Sequence, residues 1–116
     1  MNLTTAEAMR RAMRRLNQRP IMVYPIYVKL AGGLEGGVLL GQLAYWSSIK
    51  DGEPFSKTDD ELRHECALTR REFDRAKQAV RSLRYVKIYR AGMPARTWYQ
   101  VDDLALLDAN GPEGLS

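Results

Sequence analysis

A single cysteine, Cys66, and a single histidine, His64, are the only side chains of their kind in the sequence. One thiol excludes an intrachain disulfide and any Cys-based zinc site, and one imidazole two positions away adds no metal cluster. No metal or other cofactor is expected, and both residues read as ordinary packed side chains. The absence of disulfides suits a reducing, cytoplasmic setting. Long apolar runs are missing too. None approaches the ~20 residues of a membrane span, so no membrane partner is expected. Arg10, Arg11, Arg14 and Arg15 stand where a secretory signal would need unbroken apolar chain. No glycine-rich phosphate loop occurs, and Asp59, Asp60 and Glu61 read as first-turn helix charges favoured by the helix dipole. The residues present give no catalytic constellation, and an enzyme is not expected.

What the chain has is enough for one packed domain: 116 residues, 45% of them hydrophobic. Its formal net charge of +4 hints only weakly at an acidic partner. The distribution of charge is more informative. From Met1 to Ala31 six basic residues face one acid, Glu7. From Asp51 to Glu65 six acids outnumber Lys57 and Arg63. From Arg70 to Arg96 nine basic residues outnumber Glu72 and Asp74. Two basic blocks therefore flank an acidic one.

Thr4-Thr5-Ala6-Glu7 is a capping box, in which a threonine hydroxyl and a glutamate satisfy each other's backbone N–H groups. It opens an amphipathic helix over about 5–18, with Ala6, Met9, Ala12, Met13 and Leu16 on one stripe and arginines elsewhere. Met9, Met13 and Leu16 are its candidate interface for a homodimer. An extended piece, Ile21 to Tyr24, separates Pro20 from Pro25. Pro25 suits the first turn of a helix that Gly32-Gly33 end. Leu34 to Ile49 follows as a longer helix, uncharged from Gly36 onward, with Val38, Leu39, Leu43, Tyr45 and Trp46 on a wide apolar face. A helix so nearly apolar is buried on most sides and forms the central pillar of the core. Gly37 and Gly41 within it read as points of close packing. Asp51-Gly52 is a turn, and Phe55 marks a short strand.

Thr58-Asp59-Asp60-Glu61 is a second capping box, opening a helix of about eight residues with Leu62 and Cys66 or Ala67 turned inward. Leu68 sits in a turn. Thr69-Arg70-Arg71-Glu72 is a third box, opening a helix to about Leu83. A short capped helix, a tight turn and a longer capped helix have the spacing of a helix-turn-helix. The second helix has an inner stripe of Phe73, Ala76, Val80 and Leu83. Its outward residues include Arg70, Arg71, Asp74, Arg75, Lys77, Gln78 and Arg81. Arginine can grip guanine, and glutamine adenine, through two hydrogen bonds each, while Lys and Arg neutralise phosphates. Thr69 is placed to offer its hydroxyl and the helix N–H groups to a phosphate. Within the helix only Arg70 and Asp74 pair, in the weaker orientation. Most of the positive charge is thus expected to be left for a partner.

After Tyr85 the period changes to alternation: Val86 to Ala91 and Arg96 to Val101 are two strands around a Gly92-Met93-Pro94-Ala95 turn. Arg90 and Arg96 flank the tip. Trp98 and Tyr99 face opposite sides, one of them toward the core. Asp102 or Asp103 caps a last short helix with Leu104, Leu106 and Leu107. The fold expected is mainly α with a β-hairpin: an N-terminal helix over 1–18, a winged helix-turn-helix domain over 19–108 and a flexible tail over 109–116.

Five segments carry a family resemblance: Gly37 to Trp46, Phe55 to Thr58, Leu68 to Phe73, Leu83 to Ile88 and Gly92 to Tyr99. Together they resemble the winged helix domains of phage and plasmid replication proteins, over about residues 20–108. The resemblance implies duplex DNA binding at an origin or operator. The chain departs from that pattern in its basic N-terminal helix. A regulator or replication accessory protein of a phage or mobile element follows as the expectation. The contacts to double-stranded DNA would be Thr69, Arg70, Arg71, Arg75, Lys77, Gln78, Arg81, Arg90 and Arg96. The competing expectation is a winged-helix module that binds a host protein, as a phage-encoded inhibitor of a host defence (CRISPR) complex would.

Overall fold

The architecture grows from one helix that is apolar on every side. In the computed structural model, which describes residues 4–16 and 20–102, that helix is α3 (Leu34–Ile49). Before it come α1 (Thr5–Arg15) and α2 (Pro25–Ala31). After it come β1 (Phe55–Ser56), α4 (Asp59–Cys66), α5 (Arg70–Arg81), β2 (Val86–Ala91) and β3 (Arg96–Val101). The described chain is thus mainly helical with one small antiparallel sheet of strand order β1-β3-β2. No helix among the described residues is long and apolar enough to cross a membrane. The short helix expected after Asp102 or Asp103 and the 109–116 tail lie outside the described residues, as do residues 17 and 18 of the expected N-terminal helix.

Local signals set most boundaries. Pro25 occupies the first turn of α2, and Gly32 ends it at φ 77°, in the left-handed region that costs glycine little. The extended chain before α2 and α2 itself both lie against α3, and glycine is what allows the approach. A Cβ on Gly37 would stand 2.6 Å from the Val28 Cα, and one on Gly41 would stand 3.2 Å from the Met22 carbonyl oxygen. Buried residues of α3 include Leu39, Leu40, Gln42, Leu43 and Ser47. Tyr45, expected on its apolar face, is instead exposed. An all-round apolar helix has no dominant stripe, so its sequence cannot say which aromatic points out.

The boxes at Thr58 and Thr69 form in full. Each threonine hydroxyl accepts from the N–H three residues on, and Glu61 and Glu72 accept from the threonine N–H groups. At Thr4 only the first half forms: its hydroxyl accepts from the Glu7 N–H at 3.2 Å. Ala67 closes α4 in the left-handed region at φ 55°, which turns the chain into α5. Cys66 is buried, so Ala67 is free to be exposed, and His64 is exposed rather than packed. Helix α5 stops at Arg81, short of Leu83, with Ser82 as its C-cap.

The core joins Leu39, Leu40 and Leu43 of α3 to Leu62, Phe73, Ala76 and Val80 of α4 and α5. The sheet closes it through Phe55, Val86, Tyr99 and Val101. Strand β1 contributes two pairings, Phe55 with Tyr99 and Ser56 with Trp98. Tyr99 is therefore the inward aromatic of β3, and its ring stacks on Phe55 at 5.8 Å between centroids. Helix α1 stands apart from this core: it buries none of its residues, and Met9, Met13 and Leu16 are exposed.

Candidate functional site

Packing decides which side chains of α5 face outward. Phe73, Ala76 and Val80 are buried on one side. Seven residues apart, Arg71 and Gln78 share the heading opposite to them. Both are exposed, as are Asp74 and Arg81 beside them. Arg75 and Lys77 lie on the two flanks of the helix, within reach of neighbouring elements.

Those flanking cations are engaged inside the molecule. The Arg75 guanidinium donates to both oxygens of Glu35 at the start of α3, Nε to Oε2 at 3.0 Å and Nη2 to Oε1 at 2.7 Å. That bonding holds the Glu35 carboxyl below its ordinary range and raises Arg75 above its own. On the other flank the Lys77 ammonium donates to Asp59 Oδ1 at 2.8 Å and lies 6.0 Å from the centroid of the Phe73 ring. It is largely covered rather than displayed. The expectation that most of this helix's charge is left for a partner is corrected here. The helix-internal pair of Arg70 with Asp74 forms at 3.3 Å, and two further cations find acids across the fold. Arg71 and Arg81 have no acidic partner among the described residues.

Thr69 is also more committed than its position implies. Its N–H donates to Glu72 Oε1 at 2.8 Å, and its Oγ1 accepts from the Glu72 N–H at 3.2 Å. The groups pictured as phosphate donors already serve the cap, with a carboxylate beside them.

At the hairpin tip, Arg90 braces the turn: Nη1 donates to Thr97 Oγ1 at 3.0 Å and Nη2 to the Ala95 carbonyl at 3.1 Å. Arg96 and Met93 are exposed, Met93 completely. Between the tip and the start of α5 runs a cleft of about 640 Å³. Arg70, Arg90 and Arg96 stand in its walls, and so do Asp59, Asp60 and Glu61 from the first turn of α4. The first residue of α5 and the hairpin tip thus share one cleft, in whose walls acidic residues of α4 also stand.

A polar cluster absent from the sequence reading ties α4 to α3. Glu65 accepts from Gln42 Nε2 at 2.7 Å, Trp46 Nε1 at 2.8 Å and Lys57 Nζ at 2.9 Å. Lys57 also lies 3.7 Å over the Trp46 ring, a cation–π contact. Burial opposes charge on Glu65, but the hydrogen bonds from Trp46, Lys57 and Gln42 outweigh it and hold the carboxyl below its ordinary range. The neighbouring Cys66 thiol is pushed up to about 12 by burial and by the Glu65 charge. A thiol so disfavoured as thiolate is an unreactive packing group at neutral pH. No signal in the sequence marked the Glu65 cluster, because its partners lie 8 to 23 residues before Glu65.

Comparison of the chain with protein-family models, with curated proteins and with solved structures finds no match.

Proposed function

We propose that the chain is a winged helix-turn-helix that binds duplex DNA sequence-specifically, with α4 as the brace, α5 as the recognition helix and the β2–β3 hairpin as the wing. The observation that carries this reading is the exposed set of Arg71, Gln78 and Arg81 on α5, on a helix whose first residue, Arg70, shares a cleft with Arg90 and Arg96 of the hairpin. Arg71 and Gln78 have the donors to read guanine and adenine edges in a major groove. Arg81 and the two hairpin arginines suit phosphates on either side. Arg75, Lys77 and Thr69 serve in this reading mainly to hold the reading helix in place. The role that fits is a regulator or replication accessory protein of a phage or mobile element. Replacing Arg71 and Arg81 together by glutamate tests it. Both are exposed and lack acidic partners among the described residues, so the circular dichroism spectrum stays unchanged while DNA binding is lost. A gel shift equal to the parent's refutes the assignment.

A second reading rests on the acidic residues of that cleft. Asp59, Asp60 and Glu61 line the cleft where a phosphate strand would pass between α5 and the hairpin, and like charges repel there. A protein partner with a basic segment would meet complementary charge instead, as an inhibitor of a host defence complex would require. Pull-down from host lysate after nuclease treatment separates the two: a protein partner is retained and a DNA-mediated one is lost.

A further inference from the structure

Among the described residues two apolar surfaces are exposed, and they match each other. One is the stripe of α1, where Met9 is 59% and Leu16 is 65% exposed. The other is a groove of about 620 Å³ walled by Ile21, Met22 and Tyr24 on one side and by Tyr45 and Trp46 of α3 on the other. The stripe runs seven residues, from Met9 to Leu16, about 10 Å along a helix. The groove follows α3 over the same interval, from Gly41 to Ser48.

The charges match as well. Helix α1 carries Arg10, Arg11, Arg14 and Arg15 against Glu7 alone. The last turn of α3 holds no basic residue, so the negative end of its dipole is not offset within the helix. Asp51 and Glu53, both exposed just beyond it, outnumber Lys50. A basic, apolar-striped helix is the complement of an apolar groove that ends at an acidic helix terminus. In its own chain α1 buries none of its residues. From these matches we propose that a second copy of the chain fills the groove, each protomer laying its Met9/Met13/Leu16 stripe between Tyr24 and Tyr45 of the other. The exchange is reciprocal, so it closes as a two-fold dimer. It is independent of what α5 binds.

The test is made without DNA, so the outcome of the DNA reading does not enter. Sedimentation velocity of the intact chain gives a two-chain mass. Met13→Glu and Tyr45→Glu each reduce it to one chain with the circular dichroism spectrum unchanged, since both positions are exposed. Mixing a Met13→Cys chain with a longer, tagged Tyr45→Cys chain yields a mixed disulfide on a non-reducing gel. The native Cys66 is buried and does not compete. A one-chain mass for the parent protein overturns the proposal. So does a Tyr45→Glu variant that keeps the two-chain mass, or a mixture that gives Met13→Cys self-pairs in place of the mixed species; both would mean that α1 pairs with α1.

Discussion

If the chain binds duplex DNA as proposed, the salt dependence of that binding measures how many cations the fold leaves available. By sequence, seven cations belong to the candidate face: Arg70, Arg71, Arg75, Lys77, Arg81, Arg90 and Arg96. The fold commits Arg75 to Glu35, Lys77 to Asp59 and Arg70 to Asp74. Four remain. Each phosphate neutralised contributes about −0.9 to the slope of log K against log salt, so four contacts give about −3.6 and seven about −6.3. Between 50 and 200 mM salt, the first slope lowers affinity about 150-fold and the second about 6,000-fold. Fluorescence anisotropy with a labelled duplex across that range distinguishes them. Glu35→Gln sharpens the test, because it releases Arg75 and steepens the slope by about 0.9. A parent slope beyond about −5.5, or a Glu35→Gln slope equal to the parent's, refutes the claim that internal pairing withholds these cations.

Three predictions concern the scaffold. Glu65→Ala leaves the Trp46 indole and the Gln42 amide without their acceptor and Lys57 without its counterion, and urea unfolding should show a loss of about 2–3 kcal/mol. Because the folded Glu65 carboxyl lies below its ordinary range, its benefit is full above the unfolded value of about 4.3 and fades as pH falls through the folded one. The stability gap between the parent and Glu65→Gln should therefore close in acid; a gap constant from neutral pH down to pH ~3 contradicts the charged assignment. Gly37→Ala forces the α2 backbone at Val28 away from α3, costing about 2 kcal/mol net of the helix-propensity gain, whereas Gly33→Ala, with open space around it, should be nearly neutral. Equal midpoints for the two variants would show that α2 yields freely. Tyr99→Phe removes a fully buried hydroxyl that has no hydrogen-bond partner among the described residues, and stability should rise by up to about 1 kcal/mol; a clear loss would reveal a partner for that group.

The parts legible from sequence were those fixed within a few residues. The boxes at Thr58 and Thr69 close over three positions, so their pattern specifies the start of α4 and of α5. The change from helical period to alternation after Tyr85 likewise placed both hairpin strands, which occur as Val86–Ala91 and Arg96–Val101. Longer-range features left no such trace. Phe55 could be assigned to a strand, but its pairing with Tyr99 depends on how three intervening elements pack. The Arg75–Glu35 bond spans 40 positions, so counting neighbours on α5 alone overstated its available charge. Tyr45 was misplaced for a different reason, since α3 is apolar all round and its period carries no direction.

The sheet has one more consequence. Only the inner part of the hairpin is backed by a third strand, at Trp98 and Tyr99, while the stretch from Arg90 to Arg96 projects beyond it as a two-stranded arm. The arm behaves as a cantilever, clamped at the root and unloaded at the tip. Amide hydrogens near Ala91 and Arg96 should exchange with solvent well before those of Tyr99 and Val101, whose release waits on opening of the core. The tip arginines can then conform to a curved partner, and the hydrophobic centre of the protein need not register the deflection.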